Sequence, residues 1–276
     1  MPELPEVETV CLGLRARVRG FAVDHVTARR PGLRFPFPAD LAERIAGARI
    51  TAIRRRAKYG IIVLRDAPAV LFHLGMSGRI LLEAPPYPPP GPHDHLALDL
   101  VSASGARLRL TFRDPRRFGL VDLLPGGADT AHPRLRELGP EPLDITGPEL
   151  RAVLRGRATP IKAALLDQRV VAGVGNIYAC EALFRARISP RRRAGTVGPR
   201  RAEALAAGLR SVLADAIRAG GSTLRDHVQI GGEEGWFQRE LLVYGRAGEA
   251  CVECARPIRQ FRQGGRSTFH CPTCQR

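Results

Sequence analysis

The chain has 276 residues and a mass of 30.1 kDa, above the ~100 to 200 residues usual for one domain, so more than one folded unit is expected. Hydrophobic residues make up 44% and charged residues 25%, which excludes wholesale disorder. The longest run without Asp, Glu, Lys or Arg is the twelve residues 67–78, short of the ~18 or more that a membrane-spanning helix needs. The formal charge is +16, and it is shared: residues 1–135 carry 20 basic and 13 acidic side chains, residues 136–276 carry 23 and 14. A basic tail on a neutral body is excluded, and a nucleic acid held in a cleft between two basic domains is the partner that fits. The alternative is a charged surface kept for solubility. All 43 basic residues are Arg except Lys58 and Lys162. A compact amine that can lose its proton is something Arg cannot imitate, which marks both lysines for chemistry.

In chain order, Pro2 follows a methionine of the kind normally removed before a small residue. Removal would expose a secondary amine titrating near ~8, partly neutral at physiological pH and able to condense with an aldehyde to an iminium. Glu3 beside it is a natural proton donor or acceptor. The plainer reading is a proline that starts a helix. No basic and apolar leader is present, so a cytoplasmic, reducing compartment is expected.

Val7, Val10, Cys11, Leu14 and Val18 recur at three- and four-residue intervals before Gly20, predicting an N-terminal amphipathic helix. Short β-rich runs follow at 49–54, 59–64, 70–74, 79–82, 95–100, 107–112 and 119–124. Alternation of Leu96, Leu98 and Leu100, and of Leu108, Leu110 and Phe112, predicts half-buried strands, and many short strands predict a β-sandwich. Residues 85–93 hold six prolines, a stiff exposed loop. The Pro/Gly-rich stretch 125–148 reads as a hinge. Thr146 and Glu149, with Pro148 between them, form a capping box opening a helix that ends near Gly156. Further helices are expected at 161–168, 177–187 and 199–219, and Gly231, Gly232 and Gly235 mark a loop before a cysteine module. The expected divisions are 1–124, 125–148, 149–235 and 236–276.

Cys251 and Cys254, then Cys271 and Cys274, form two thiolate pairs at a spacing that closes a tetrahedral, structural zinc site. A pair of disulfides is the alternative, disfavoured in a reducing compartment. Arg256, Arg259, Arg262 and Arg266 between the pairs suit phosphate contact from a β-hairpin. Cys11 and Cys180 read as small buried hydrophobes. Residues 171–178, VAGVGNIY, set two glycines before a helix: a phosphate site on its N-terminus, or a tight turn between helices. Residues 113–119, RDPRRFG, set Phe118 beside Arg116 and Arg117, a geometry for entering a nucleic-acid stack or an ordinary solvated turn.

Taken together, PELPEVE, RRAKYG, HLGMSG, HDH, DPRRFG, GVGNIY and GRSTFHCPTCQ, in this order along essentially the whole chain, resemble the formamidopyrimidine-DNA glycosylases, the bacterial repair enzymes for oxidised purines. The resemblance implies an α+β multidomain fold: an N-terminal helix and β-sandwich, a helix-two-turn-helix domain and a C-terminal zinc-finger hairpin, with DNA held across the interdomain cleft. It implies a bifunctional glycosylase and abasic-site lyase, acting on 8-oxoguanine and formamidopyrimidines by β,δ-elimination. Pro2 is then the nucleophile at C1′ that forms a Schiff base, Glu3 its acid/base partner, and Glu6 their support. Lys58 matches a lysine for phosphate binding and proton transfer, and Lys162 a second phosphate contact. Met76, Arg116 and Phe118 match residues that fill the gap left by a flipped nucleotide and probe the opposite cytosine. His73, His93, Arg157, Asn176 and Arg266 match DNA-contact positions, Arg266 also assisting the second elimination.

One structural zinc and no redox cofactor, a monomer, no membrane, double-stranded DNA with an oxidised base or abasic site, and the bacterial cytoplasm at the nucleoid complete the expectation. Residues 230–236 place Glu233 and Glu234 together, which leaves contacts of this loop to the extruded base open. The related endonuclease VIII type, which prefers oxidised pyrimidines, is the nearest rival, and Leu4 and Phe118 favour the purine branch. A non-catalytic zinc-ribbon DNA-binding protein is the rival of another class, opposed by Pro2, Glu3 and Lys58.

Overall fold

The computed structural model describes residues 1–127, 132–222 and 235–276. They form two compact units: residues 1–136 with 220–235, and residues 137–219 with 236–276.

The first unit opens with helix α1, Leu4–Val18, which buries Leu4, Val7, Val10, Cys11, Leu14 and Val18 on the side the spacing predicts. Gly20, at φ 89°, turns the chain out of it. Next come β1 (Ala22–Ala28), α2 (Leu41–Ile45), β2 (Ile50–Arg56), β3 (Tyr59–Leu64), β4 (Ala69–His73), β5 (Arg79–Glu83), β6 (Asp94–Val101), β7 (Arg107–Arg113) and β8 (Leu120–Leu124). Two antiparallel four-stranded sheets result, ordered β1-β6-β7-β5 and β2-β3-β4-β8. Their inner faces and α1 share one apolar core, which makes the unit a β-sandwich.

The two alternating runs of the sequence prove to be partners. Leu96 pairs with Phe112, Leu98 with Leu110 and Leu100 with Leu108, so the register of β6 on β7 is set by turning six apolar side chains to the core face, five of them buried and Leu108 half-buried. All seven expected strands form, within two residues at their ends. Strand β1 and helix α2 were not expected. β1 is an edge strand that buries only Val23, and α2 is a little over one turn long, so neither leaves a periodic signal.

Helix α3, Pro133–Arg136, ends the first unit's main segment. The second unit holds α4 (Gly147–Leu154), α5 (Ile161–Leu166), α6 (Asn176–Arg185) and α7 (Pro199–Arg218) around a core of Val, Leu, Ile and Ala side chains with Tyr178 and Phe237. The capping box is formed: Thr146 N–H donates to Glu149 Oε2 at 2.9 Å, and Glu149 N–H to Thr146 Oγ1 at 3.4 Å. Strands β9 (Arg259–Gln263) and β10 (Arg266–His270) form a hairpin across Gly264 and Gly265, both at positive φ. Ile258 and Phe269 seat this hairpin on Cys180 and Phe184 of α6, so the cysteine module and the helices share a unit. Cys11 and Cys180 are both buried. Of the glycine-marked loop, residues 230–234 lie outside the described residues; Gly235 and Trp236 are described.

Candidate active site and metal centre

Helix α1 begins where it does because Glu3 and Glu6 close its first turn. Glu3 N–H donates to Glu6 Oε2 at 2.8 Å, and Pro5 occupies a position whose N–H would have no helical partner. Pro2 and Glu3 are buried at this helix head, Glu3 at 4% exposure. The second Glu6 oxygen accepts the Ser222 N–H at 2.9 Å. One buried carboxylate therefore ties the head of α1 to residues 221–222, where a Cβ on Gly221 would lie 3.3 Å from Glu6 Cγ.

Lys58, 6% exposed, sits in the two-residue turn between β2 and β3, next to Ala57 in the left-handed region at φ 52°. Arg55 secures this turn, with Nε donating to Glu8 Oε2 at 2.6 Å and Nη1 to Ala57 O at 3.0 Å. Arg15 and Cys11 add bonds from α1 to the carbonyls of Ile53 and Arg54. The turn carrying Lys58 is thus fixed to the helix whose head carries Pro2 and Glu3. Sequence reading missed Glu8 and Arg55, because a pairing between residues 47 apart has no local signature.

His73 closes β4 opposite Tyr59, with ring centroids 4.9 Å apart. Its Nδ1 accepts the Gly75 N–H at 2.9 Å, which leaves the ring proton on Nε2. Burial first, then the charges of Lys58, Arg34 and Arg134, pulls its pKa down to about 4, so at neutral pH it is an uncharged donor.

Two turns carry the exposed apolar residues. Met76 lies between β4 and β5, 37% exposed, and Phe118 lies between β7 and β8, 45% exposed with the Arg116 guanidinium 5.0 Å over its ring. Asp114 organises both turns: Oδ1 accepts the Ser77 hydroxyl at 2.6 Å and the Arg116 N–H at 3.3 Å, and Oδ2 accepts the Gly119 N–H at 2.7 Å. Gly75, at φ 63°, is required where the turns touch, since a Cβ there would lie 2.6 Å from the Gly119 nitrogen and nearer still to the Phe118 carbonyl. His93 is exposed and, with Arg29, Arg30 and Arg117, borders a basic cavity of about 560 Å³.

The second unit gathers another set. Lys162, 1% exposed, donates from Nζ to Thr268 Oγ1 at 2.8 Å and to Ser267 O at 3.1 Å. Asn176, the first residue of α6, donates from Nδ2 to the same Ser267 carbonyl at 3.0 Å. Both side chains therefore hold β10 directly after Arg266, which is exposed at the hairpin turn, and Lys162 and Arg266 border a cavity of about 300 Å³. The turn before α6 is tight, with Gln168 bonded to Gly173 N–H and to the Val174 carbonyl. Arg157 is exposed, with Nε donating to Val153 O at 2.8 Å.

The four cysteine sulfurs lie within 4.8 Å of one another. Cys251 and Cys274 are 4.0 Å apart and Cys254 and Cys271 3.5 Å, too far for disulfides of ~2.05 Å. Four thiolates at ~2.3 Å from one zinc would stand ~3.8 Å apart, so the cluster fits one tetrahedral zinc with no open position. The metal is structural.

Family models match the chain along most of its length: the formamidopyrimidine-DNA glycosylase N-terminal domain over residues 1–121, its H2TH domain over 138–228, and the zinc finger found in FPG and IleRS over 248–276. A formamidopyrimidine-DNA glycosylase of Rhodospirillum centenum is 51% identical over 290 residues, and one of Cereibacter sphaeroides 49% over 287, each covering all of both chains. Among solved structures, the MutM (FPG) protein of Thermus thermophilus superposes with a TM-score of 0.86 at 42% identity, covering 99% of this chain and 98% of that one. The Lactococcus lactis Fpg in complex with abasic-site DNA superposes with a TM-score of 0.88 at 34% identity, covering 99% of both. The chain belongs to the formamidopyrimidine-DNA glycosylase family.

Proposed function

We propose that the protein excises oxidised purines from duplex DNA and cleaves the resulting abasic site, with the chemistry at the head of α1. The observation that carries this reading is the burial of Pro2 and Glu3 on a helix whose start is fixed by Glu6 and whose flank is bonded to the Lys58 turn. After removal of Met1, the neutral Pro2 amine attacks C1′ and the bond from C1′ to the base breaks, the base leaving with the electron pair and taking up the proton lost from the amine. The C1′–O4′ bond then breaks and an iminium joins Pro2 to the opened sugar. Glu3 moves the proton at the sugar, and Glu6 holds Glu3 in place through its backbone N–H. Lys58 binds phosphate and transfers protons in strand cleavage. The relatives solved with Fapy-dG DNA and abasic-site DNA support the same substrate class.

Met76 and Phe118 fill the space of the extruded nucleotide, and Arg116 reads the opposite cytosine. His73 donates to a backbone phosphate from Nε2, His93 and Arg157 contact further phosphates, and Asn176 and Lys162 place Arg266, which serves the phosphates and the second elimination. The 300 Å³ cavity beside Lys162 and Arg266 gives a phosphate room to reach both. The protein works as a monomer in the bacterial cytoplasm, at the nucleoid. Among the described residues no helix is long and apolar enough to cross a membrane.

Borohydride trapping on single-lesion duplexes tests the reading. A covalent complex through Pro2 on oxidised-purine DNA is expected, weakened in Pro2→Gly and abolished when Met1 is retained. A cross-linked peptide containing Lys58 or Lys162 would reassign the nucleophile, and preference for oxidised pyrimidines would move the protein to the endonuclease VIII type.

A further inference from the structure

Arg134 lies in none of the motifs that mark the active site, yet the fold brings it there. The segment 132–136 is fastened back on the sandwich: His132 Nε2 meets Asp122 Oδ2 of β8 at 3.2 Å, its Nδ1 accepts the Arg134 N–H at 3.2 Å, and Leu135 is buried. The Arg134 guanidinium is thereby set 4.0 Å from the centroid of the Phe35 ring. Arg34 approaches the same ring at 5.6 Å, and its backbone N–H donates to Gly119 O, at the end of the turn that carries Arg116 and Phe118. Phe35 itself is 38% exposed.

Among the described residues neither Arg34 nor Arg134 has a carboxylate within ion-pair distance, and both are exposed. Their charges nevertheless reach the Tyr59 and His73 pair and, with Lys58, help hold His73 neutral. Two guanidiniums without a carboxylate partner, whose charges act together with that of Lys58 on His73, raise the local positive potential, a repulsion that an anion relieves. A flat aromatic platform keeps a guanidinium's donors in one plane and partly dry, the presentation suited to two oxygens of a phosphodiester.

We propose that Arg134, carried on the Phe35 ring beside Arg34, is an additional contact to a backbone phosphate of the DNA substrate, next to the phosphate served by Lys58 and His73. This rests on the reading that the first unit grips lesion-containing DNA. Phe35 is a positioning residue for it.

The test is binding to a duplex carrying a non-cleavable abasic-site analogue, measured across a salt series. Arg134→Gln should weaken binding about two- to fivefold, the range of an exposed ion pair, with an unchanged melting temperature. The slope of log Kd against log salt should fall by about 0.9, the release of one counterion, and Arg134→Lys should restore it. Phe35→Leu should lose part of the affinity and keep the slope. Replacing backbone phosphates one at a time by methylphosphonates should reveal one position that costs the wild type affinity and costs Arg134→Gln nothing. Unchanged affinity and slope in Arg134→Gln would make Arg134 a clasp for the 132–136 segment and overturn the proposal, as would lost affinity at unchanged slope. A wild type that does not prefer the lesion duplex would instead overturn the reading of the site itself.

Discussion

The Ser77 hydroxyl donates to Asp114 Oδ1 at 2.6 Å, and this bond fastens the turn carrying Met76 to the turn carrying Arg116 and Phe118. Asp114 is fully buried and also holds two backbone N–H groups, so Asp114→Ala leaves the Ser77 hydroxyl and the Gly119 N–H to find other partners, while the Arg116 N–H keeps Ser77 Oγ at 3.1 Å. A loss of ~1 to 3 kcal/mol of stability is expected. Cleavage of a duplex lesion should fall further than cleavage of a preformed abasic site, where extrusion is already eased. Phe118→Ala should show the same asymmetry without the stability loss, costing ~1 to 3 kcal/mol in stacking. Equal losses on both substrates would make the pair of turns structural only.

Glu6 offers a sharper test of the helix head, because both of its oxygens accept backbone N–H groups, from Glu3 and from Ser222. Glu6→Gln keeps the shape but turns one acceptor into a donor facing a donor. We expect ~1 to 3 kcal/mol of destabilisation and reduced borohydride trapping. Retained trapping and stability in Glu6→Gln would show that the head of α1 does not depend on this carboxylate.

How far the site could be read from the sequence follows from how local each interaction is. The alternation at Leu96 to Leu100 and Leu108 to Phe112 is periodic within a few residues, and it predicted both strands of a pair. The zinc cysteines and the Thr146 to Glu149 capping box are likewise short-range. By contrast, Glu8 with Arg55, Ser77 with Asp114 and Arg134 with Phe35 join distant positions, and no spacing along the chain links one residue of a pair to the other. Lys162 shows the intermediate case. Its rarity marked it, but its burial against Ser267 and Thr268 depends on a hairpin a hundred residues later.

That burial predicts a specific phenotype. Lys162→Met removes two bonds to β10 while Asn176 still holds the Ser267 carbonyl. The hairpin should remain folded and retain zinc, but Arg266 should lose its setting. Products of strand cleavage should shift toward the first elimination at the expense of the second, and Lys162→Met with Asn176→Ala should extend the shift. An unchanged product ratio would confine Lys162 to binding.

His73 sets a pH window for stability. Its folded pKa of about 4 lies below the unpaired value of 6.5, so the unfolded chain binds the extra proton first as pH falls. The stability held by neutral His73 is fully present above 6.5 and is lost as pH drops from 6.5 toward 4. His73→Gln should therefore flatten the decline in melting temperature across that window. The wild type and the variant falling in parallel would show that His73 is not the group responsible.

Zinc removal should separate the hairpin from the rest of the protein. The four sulfurs have no covalent link among themselves, and the segment from Cys251 to Cys274 has few apolar residues of its own, so the metal supplies much of its folding free energy. Ile258 and Phe269 pack on Cys180 and Phe184, whereas the remaining buried face of α6 belongs to the helical core and stays covered. Chelation should thus raise hydrogen exchange over residues 248–276 and leave the sandwich protected. With the hairpin unfolded, Arg259, Arg262 and Arg266 are no longer held together, and the salt dependence of DNA binding should become shallower. Metal analysis should find near one zinc per chain in active protein. An active preparation without zinc, or chelation that leaves exchange over the hairpin unchanged, would show that the four thiolates hold this segment by some means other than the metal.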